Sequence, residues 1–524
     1  MAACTLVFSE LEAGIFARTT AVCLGTGRFL RAVLVPALVH AGEEVVLAQT
    51  RGTSFGKHVA QQSPSRSYEV DTVRSDGTVD TQKTPIAAVG SLGVDAGRKA
   101  FLALAGKLPM LRYVGVGITE AGVVHNGQSI QDLAEFLHAC FQSGIHSHTP
   151  LSIINTDNVP WNGTCIANYV QTCDFVRGLA DERDFLAWLR QQVVFHNSMV
   201  DRITSCRDGV PEVPRAEPLP KKALVIEDLT RILPEAFRHA PGVVVRTSAG
   251  ELALDLALKL RIANGTHTSM VYPMALSGLL RTDACIDHPH ILPYLEHLFR
   301  RDLLHSADDL GAPAELFHEV FEEWAGRLQH AHFGLETFFI SQNASQKLAM
   351  RVLPSAKATV HGVENGTPRM PSPFMTFAFA SALRFITPLG EQPRLGESPP
   401  VFAGLMDDDP NSDCSGKDEQ EYVTGLHVNA AKGQYEFRDG DGQVPSLLRE
   451  IGKDKSTPEE IEEGVWKVMK FIASLDPSGD SACEALLQNP QYRLFSNTVA
   501  AMWNEMISGR PAMLVLRKLC EQHQ

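Results

Sequence analysis

An amine, a carboxamide and an imidazole fall within one short stretch, Lys259-Leu-Arg-Ile-Ala-Asn264-Gly-Thr-His267. A lysine can hold or release a proton, a carboxamide can donate to a developing oxyanion, and an imidazole can orient a hydroxyl or a carbonyl. Together they suit hydride transfer at a sugar carbon. On one unbroken α-helix, Lys259 and Asn264 would point roughly 140° apart at 3.6 residues per turn, so something has to bend the chain between them. Asn264-Gly265 is a breaker pair. The expectation is a helix ending near Asn264 and another starting near Thr266, with the three side chains converging across the joint.

A scaffold for such a reaction is legible upstream. Thr20-Ala-Val-Cys-Leu24 is an apolar strand, followed at once by Gly25-Thr26-Gly27-Arg28-Phe29-Leu30 and an apolar helix to about Ala41. Strand, glycine turn and helix open a dinucleotide fold, in which the glycines admit a pyrophosphate to the free N–H groups of the helix start. Leu30 stands where the third glycine of that pattern belongs. Further apolar runs, Glu44–Ala48, Tyr113–Ile118 and Pro150–Ile154, read as buried parallel strands, and Asp132–Phe141 as a helix between them. Polar residues gather after the strands, as Thr119-Glu120-Ala-Gly122, Asn155-Thr-Asp157-Asn158 and Asn162-Gly163. Ligands in such sheets sit beyond those carboxyl ends.

From about Pro241 the pattern turns helical, with Leu252–Ile262, Ile291–Leu304, Pro313–Leu328 and Glu459–Leu475 as the clearest segments. The expected class is α/β. A Rossmann-type NAD(P)-binding domain over residues 15–240 is followed by a mainly α-helical substrate and catalytic domain over 241–524. Residues 393–442 are rich in Pro, Gly and Asp and read as a solvated surface insertion.

Composition excludes several classes. The 524 residues carry a formal charge of −14, which argues against nucleic acid and anionic membrane surfaces as partners. No apolar run is long enough for a membrane span and the start has no basic n-region. The ten cysteines are scattered, without a CxxC pair. A cytoplasmic location with free thiols is the expectation. The His-x-His pairs His146/His148, His288/His290 and His330/His332 lack an accompanying cysteine cluster or HExxH pattern, so no metal site is expected.

In this order the motifs resemble the polyol-specific long-chain dehydrogenase family, over most of residues 20–355. The pieces are Gly25-x-Gly27-x-Phe29-x-Arg31-Ala32, Thr119-Glu-Ala-Gly122, Asp157-Asn158 with Asn162-Gly163, Asn197-Ser-Met-Val-Asp201-Arg202-Ile203, and Lys259 through His267. The resemblance implies a metal-independent, NAD(P)-linked exchange between a secondary alcohol and a ketone on a sugar acid or polyol, carried out by a monomer or small homo-oligomer. It casts Lys259 as the general acid/base, Asn197 and Asn264 as the amides holding the substrate oxygen, and His267 as the orienting group. Gly25, Thr26, Gly27, Arg28, Phe29, Thr119, Glu120 and Asn158 fall to the cofactor, and Asp201, Arg202 and Asn343 to the substrate. A lysine that takes a proton has to be neutral for part of its cycle, which burial or nearby positive charge promotes; Arg202 and Arg261 are candidates for that charge.

Branch signals are mixed. Phe29-Leu-Arg-Ala32, Thr119-Glu-Ala-Gly122, Ile340-Ser-x-Asn343 with Lys347 and Arg351, and Lys432-Gly-Gln-Tyr435 look like the tagaturonate reductase branch. Asn197 through Arg202 and Val225-Ile-Glu-Asp228 look like the mannitol and fructuronate branch, but Ile340 and Leu256 stand where mannitol-type sequences carry an arginine and an acid. Tagaturonate or altronate is therefore placed ahead of mannitol 2-dehydrogenase or fructuronate reductase activity, and a catalytically silent nucleotide-binding relative is the further alternative. NAD is favoured over NADP, although Gln49-Thr50-Arg51 stands where an NAD site commonly has an acid. Taken singly, Lys259 reads as a solvated helix lysine, His267 as a structural histidine and Asn197 as a turn residue. Glu227 and Asp228 read equally well as a helix N-cap.

Overall fold

The computed structural model describes residues 13–62, 66–118, 122–144, 150–330, 334–364, 366–390, 397–407, 421–423, 425–451, 457–476 and 480–523. The chain divides into two compact units, Met1–Leu256 and Ala257–Gln524.

The first unit is built on a six-stranded parallel sheet of β1 (Ala21–Leu24), β2 (Val45–Gln49), β5 (Ala88–Ser91), β6 (Tyr113–Val116), β7 (Leu151–Asn155) and β8 (Val193–His196). Their spatial order is β5-β2-β1-β6-β7-β8, the 3-2-1-4-5-6 arrangement of a Rossmann fold. The order in which strands are added reverses at the parallel neighbours β1 and β6, so the ligand crevice belongs at their carboxyl ends. The continuous apolar runs follow from burial on both faces. Val22, Leu24, Val46, Ala48, Val114 and Val116 pack one way, with Leu133 and Leu137 of helix Gln128–Ser143. Ala21, Cys23, Val45, Leu47 and Tyr113 pack the other way, with Leu30, Leu34 and Leu38 of the helix after β1.

Two smaller sheets complete this unit. One has the order β10-β11-β3-β4, from β3 (Ser67–Val73), β4 (Val79–Pro85), β10 (Thr204–Arg207) and β11 (Val210–Ala216). The other has the order β13-β12-β9, from β9 (Ser198–Val200), β12 (Leu224–Glu227) and β13 (Val243–Arg246). Because β13 pairs in parallel with β12, the chain stays with the first unit past the expected boundary at residue 240.

The second unit is mainly helical. Helix Pro373–Phe385 is buried on every side, the pattern of a helix enclosed by others. Its N-cap Ser372 accepts from the backbone N–H groups of Phe374 and Met375, and donates its own N–H at 2.8 Å and its hydroxyl to the buried carboxylate of Asp302. Burial pushes the Asp302 carboxyl up from 3.8 to about 7, and the Ser372 hydrogen bonds pull it partly back. Between about pH 4 and pH 7 the native chain then holds a proton the unfolded chain has released, so stability from this group declines as pH rises. Asp302→Asn is expected to remove that slope. The melting-temperature difference, variant minus parent, should grow across that window; a constant difference would mean an ordinary carboxyl.

The segment expected as a surface insertion is structured where it is described. After the two-stranded pair β14 (Val363–Glu364) and β15 (Thr367–Pro368), β16 (Phe402–Leu405), β17 (Glu421–Val423), β18 (Leu426–Asn429) and β19 (Gln434–Phe437) form an antiparallel sheet of order β16-β19-β18-β17. Phe402, Tyr435 and Phe437 are buried, the Tyr435 ring stacks on Phe385 at 4.6 Å, and its hydroxyl donates to the Phe385 carbonyl at 2.7 Å. Aromatic burial outweighs the loop-like composition there. Asp407, first of the acidic run, pairs with the buried Arg384 at 3.0 Å.

Candidate active site

The turn after β1 is shaped by a carbonyl of the neighbouring strand. Gly25 has φ +99°, and a Cβ there would stand 2.2 Å from the Gly117 oxygen beyond β6. Gly27 lies exposed at the helix start, where a Cβ would stand 3.1 Å from the same oxygen. Glycine at both positions lets a phosphate come close to the backbone N–H groups of the helix start. The missing third glycine is accounted for, because the space it normally provides comes from Gly117: a Cβ at Gly117 would stand 2.7 Å from Leu30 Cβ. Arg31, buried beneath the turn, donates from Nε to the Thr26 carbonyl at 2.8 Å and places its guanidinium 4.7 Å over the Phe55 ring. Burial lowers its pKa to about 10, still charged at neutral pH. Thr26 and Arg28 are accessible around this turn, whereas Phe29 packs into the core behind it. At the end of β2, the Gln49 amide donates to the Arg51 carbonyl at 2.8 Å, and the Arg51 side chain is exposed.

Asn158 follows β7, half-buried; Thr119 and Glu120 lie outside the described residues. Asn197, between β8 and β9, has its carboxamide oriented at both ends. Its oxygen accepts from the Thr164 N–H at 2.9 Å and the Thr164 hydroxyl at 3.2 Å, and its nitrogen donates to the Glu227 carboxylate at 3.1 Å. One N–H of the amide is left for a ligand. Glu227 was legible as part of the Val225–Asp228 motif and as a possible helix N-cap, not as a partner of Asn197; Thr164 gave no signal of its own. Asp228 is a helix-entry acceptor, taking the N–H groups of Ile232 and Leu233 at 3.2 and 3.0 Å.

Arg202 is corrected from a substrate contact to a fold contact. Its buried guanidinium donates to the Glu217 carbonyl at 2.9 and 2.7 Å, the Ala32 carbonyl at 2.6 Å and the Thr72 hydroxyl at 3.3 Å. Arg202→Ala leaves those acceptors buried without a donor and is expected to cost on the order of 3 kcal/mol of stability. Thermal unfolding checks this; a raised KM with an unchanged melting temperature would restore the substrate role. Asp201, half-buried beside it, donates its backbone N–H to the Ala223 carbonyl at 2.9 Å.

In the second unit the expected helix break is absent. The helix runs on through Asn264, and Lys259–Asn264 is a π-helical segment that passes into helix Gly265–Leu276. A π turn bonds residue i to residue i+5, so Lys259 and Asn264 come to lie one above the other instead of roughly 140° apart. His267 follows Asn264 by three α-helical residues, a spacing that shares a face. One face therefore presents the amine, the carboxamide and the imidazole. Gly265 permits close contact with a second π segment, Leu348–Val352, since a Cβ there would stand 2.9 Å from the Arg351 carbonyl oxygen.

The side chain of Asn264 is half-buried and has no hydrogen-bond partner among the described residues. His267 Nε2 is shut off from solvent and likewise without a partner among them. Burial pushes the imidazole down to about 3, with Arg351, Lys347 and Arg327 adding to the shift, so it is neutral at physiological pH. Arg261 is corrected as a source of charge for the lysine, because it pairs with Asp309 at 2.6 Å. Asn343 is an exposed turn residue in left-handed conformation, φ 57°, whose amide oxygen accepts from the Gly440 N–H at 3.4 Å. Among the described residues no group of three or more His, Cys, Asp or Glu is placed to hold a metal ion. None of their helices is long and apolar enough to cross a membrane.

Residues 19–251 match the family described as Mannitol dehydrogenase Rossmann domain. Over 252 residues, 42% of this chain, the sequence is 28% identical to a mannitol 2-dehydrogenase of Cereibacter sphaeroides, and that alignment covers 50% of the relative. A mannitol dehydrogenase of Saccharomyces cerevisiae is 27% identical over 30% of this chain and 32% of its own length. The chain thus spans half or less of the length of these relatives. In fold it is similar to the Pseudomonas fluorescens mannitol 2-dehydrogenase, solved with NAD and D-mannitol, at a TM-score of 0.66 and 14% identity over 99% of this chain and 96% of that one. A D-sorbitol dehydrogenase in substrate-free form is similar at a TM-score of 0.62 and 15% identity, over 95% and 98%. Residues 19–251 of this chain are thus similar to the Rossmann domain of the mannitol dehydrogenase family.

Proposed function

We propose that this chain is an NAD-dependent oxidoreductase that interconverts a secondary alcohol and a ketone on a sugar acid or polyol. The observation that carries this is the π-helical segment that brings Lys259, Asn264 and His267 to one helix face. NAD, when bound, accepts the hydride. Gly25, Thr26, Gly27 and Arg28 suit its pyrophosphate, since the turn leaves no room for a Cβ at Gly25 and opens on a helix start. Lys259 takes the hydroxyl proton in oxidation and returns it in reduction. Asn264 donates from its amide to the oxygen as it gains alkoxide character, and Asn197, with its one remaining N–H, is assigned the same task. His267, held neutral, orients a neighbouring hydroxyl.

Among substrates, hexuronates of the tagaturonate and altronate type come first, because Ile340 and Leu256 depart from the mannitol-type pattern; mannitol and fructuronate are the alternatives. NAD comes ahead of NADP, for which the exposed Arg51 is the residue in favour. Nicotinamide absorbance during steady-state turnover tests the proposal, with tagaturonate, fructuronate, fructose and their reduced partners offered with each cofactor. Turnover with at least one pair is expected. Cofactor binding in calorimetry without turnover on that panel would instead favour a silent nucleotide-binding relative.

A further inference from the structure

Three cations contribute positive potential at His267. Arg351 lies in the second π segment, and its Nη1 donates to the hydroxyl of Thr268, next to His267, at 3.3 Å. Lys347 directly precedes that segment, and its ammonium donates to the Ile340 carbonyl. Arg327 lies in helix Ala314–Leu328, three residues after Trp324, whose ring stands 6.2 Å from the His267 ring. All three act on the imidazole electrostatically, and burial has already removed any charge of its own.

Two buried polar atoms here lack partners among the described residues, His267 Nε2 and the Tyr272 hydroxyl, five residues on along the same helix. Arg351 acts on both residues. A buried polar atom left unpaired costs about 1–3 kcal/mol, so two on a helix whose Thr268 hydroxyl takes the Arg351 guanidinium mark a place suited to a polar ligand. The carboxyl at hand, Asp439, accepts from the Ser345 N–H at 2.9 Å and from the Ser345 hydroxyl.

A hexitol and a hexonate differ at one terminus, a hydroxymethyl against a carboxylate. Hydroxyls are satisfied by neutral donors such as Asn264 and His267. A guanidinium reinforced by two further cations is chemistry for an anion, since charge-assisted bonds to carboxylate are about twice as strong as neutral ones.

We propose that Arg351, with Lys347 and Arg327 adding to the positive potential at His267, receives the carboxylate of a hexuronate or hexonate, so that the site selects acidic over neutral six-carbon substrates. This rests on the dehydrogenase function proposed above and names the part of the substrate that these residues recognise.

The test compares altronate with altritol, matched except at that terminus, in NAD-linked turnover. The parent enzyme is expected to favour the acid at least 10-fold in kcat/KM, and Arg351→Gln to shrink that ratio about 10- to 100-fold, mainly through KM for the acid. A parent that prefers the hexitol, or a variant that keeps the parent's ratio, would overturn the carboxylate assignment while leaving the dehydrogenase standing. Calorimetry on the parent enzyme, titrated with D-gluconate and with D-glucitol, needs neither turnover nor a variant. Tighter binding of gluconate that weakens as salt is raised supports the assignment, and equal binding refutes it. Absence of turnover on every substrate, with gluconate still preferred, would strike the proposed reaction and spare the anion site.

Discussion

Lys259→Ala is expected to lower kcat about 100- to 10,000-fold, the range of a general acid/base in proton transfer, while NAD binding survives. The lysine stands on the same helix face as Asn264 and His267 only because residues 259–264 take a π turn; a solvated helix lysine has no need of such a turn. Alanine favours helix, so the loss should appear in turnover far more than in melting temperature. In the oxidation direction the amine has to be neutral to accept the proton, so kcat/KM of the parent should rise with pH until that form predominates, and the variant should lose this limb. Steady-state absorbance across pH and calorimetry with NAD check both halves. A variant within about threefold of the parent would leave the helix face without its central group.

Gly25→Ala should abolish measurable NAD binding, and with it turnover. Two effects add there. The backbone stands at φ +99°, a region in which an L side chain costs on the order of 1–3 kcal/mol. The added Cβ would also stand 2.2 Å from the Gly117 oxygen and 2.9 Å from its carbonyl carbon, backbone atoms of a sheet that cannot step aside as a flexible side chain can. The turn has to move, and the helix start moves with it. Gly27→Ala is the control: its Cβ would stand 3.1 Å from the same oxygen, and its φ is not in the left-handed range, so a much milder loss is expected. Fluorescence or calorimetric titration with NAD measures each. Equal affinity in parent and Gly25→Ala would mean that the turn is not where the pyrophosphate sits.

Much of this was legible in the sequence. Unbroken apolar runs such as Val45–Ala48 and Tyr113–Val116 read as strands of a parallel sheet because burial on both faces leaves no polar alternation. The glycine turn after Leu24 declared itself through residue type, as did the lysine, asparagine and histidine of the stretch 259–267. What failed were inferences that needed a partner distant in sequence. Arg202 looked like a substrate residue, yet its guanidinium meets the Ala32 carbonyl, 170 residues away. Leu30 looked like a defect in the phosphate motif until Gly117 was found to make room for it. Residues 393–442 looked like a surface insertion by composition, yet strands described among them form a sheet whose Tyr435 and Phe437 rings pack against Phe385.

By itself, then, the amino-acid order determined the α/β class, the turn that suits a dinucleotide and the chemical groups available for proton transfer, because periodicity and backbone freedom are local properties. The tertiary structure decided how those groups are aimed. A π turn replaced the expected break at Asn264-Gly265, closely apposed to the segment Leu348–Val352; Thr164 and Glu227 set the orientation of Asn197; and Arg351 came to bond Thr268, next to a buried, neutral His267. Each of these depends on which distant backbone or charge arrives beside a residue, and packing supplies that.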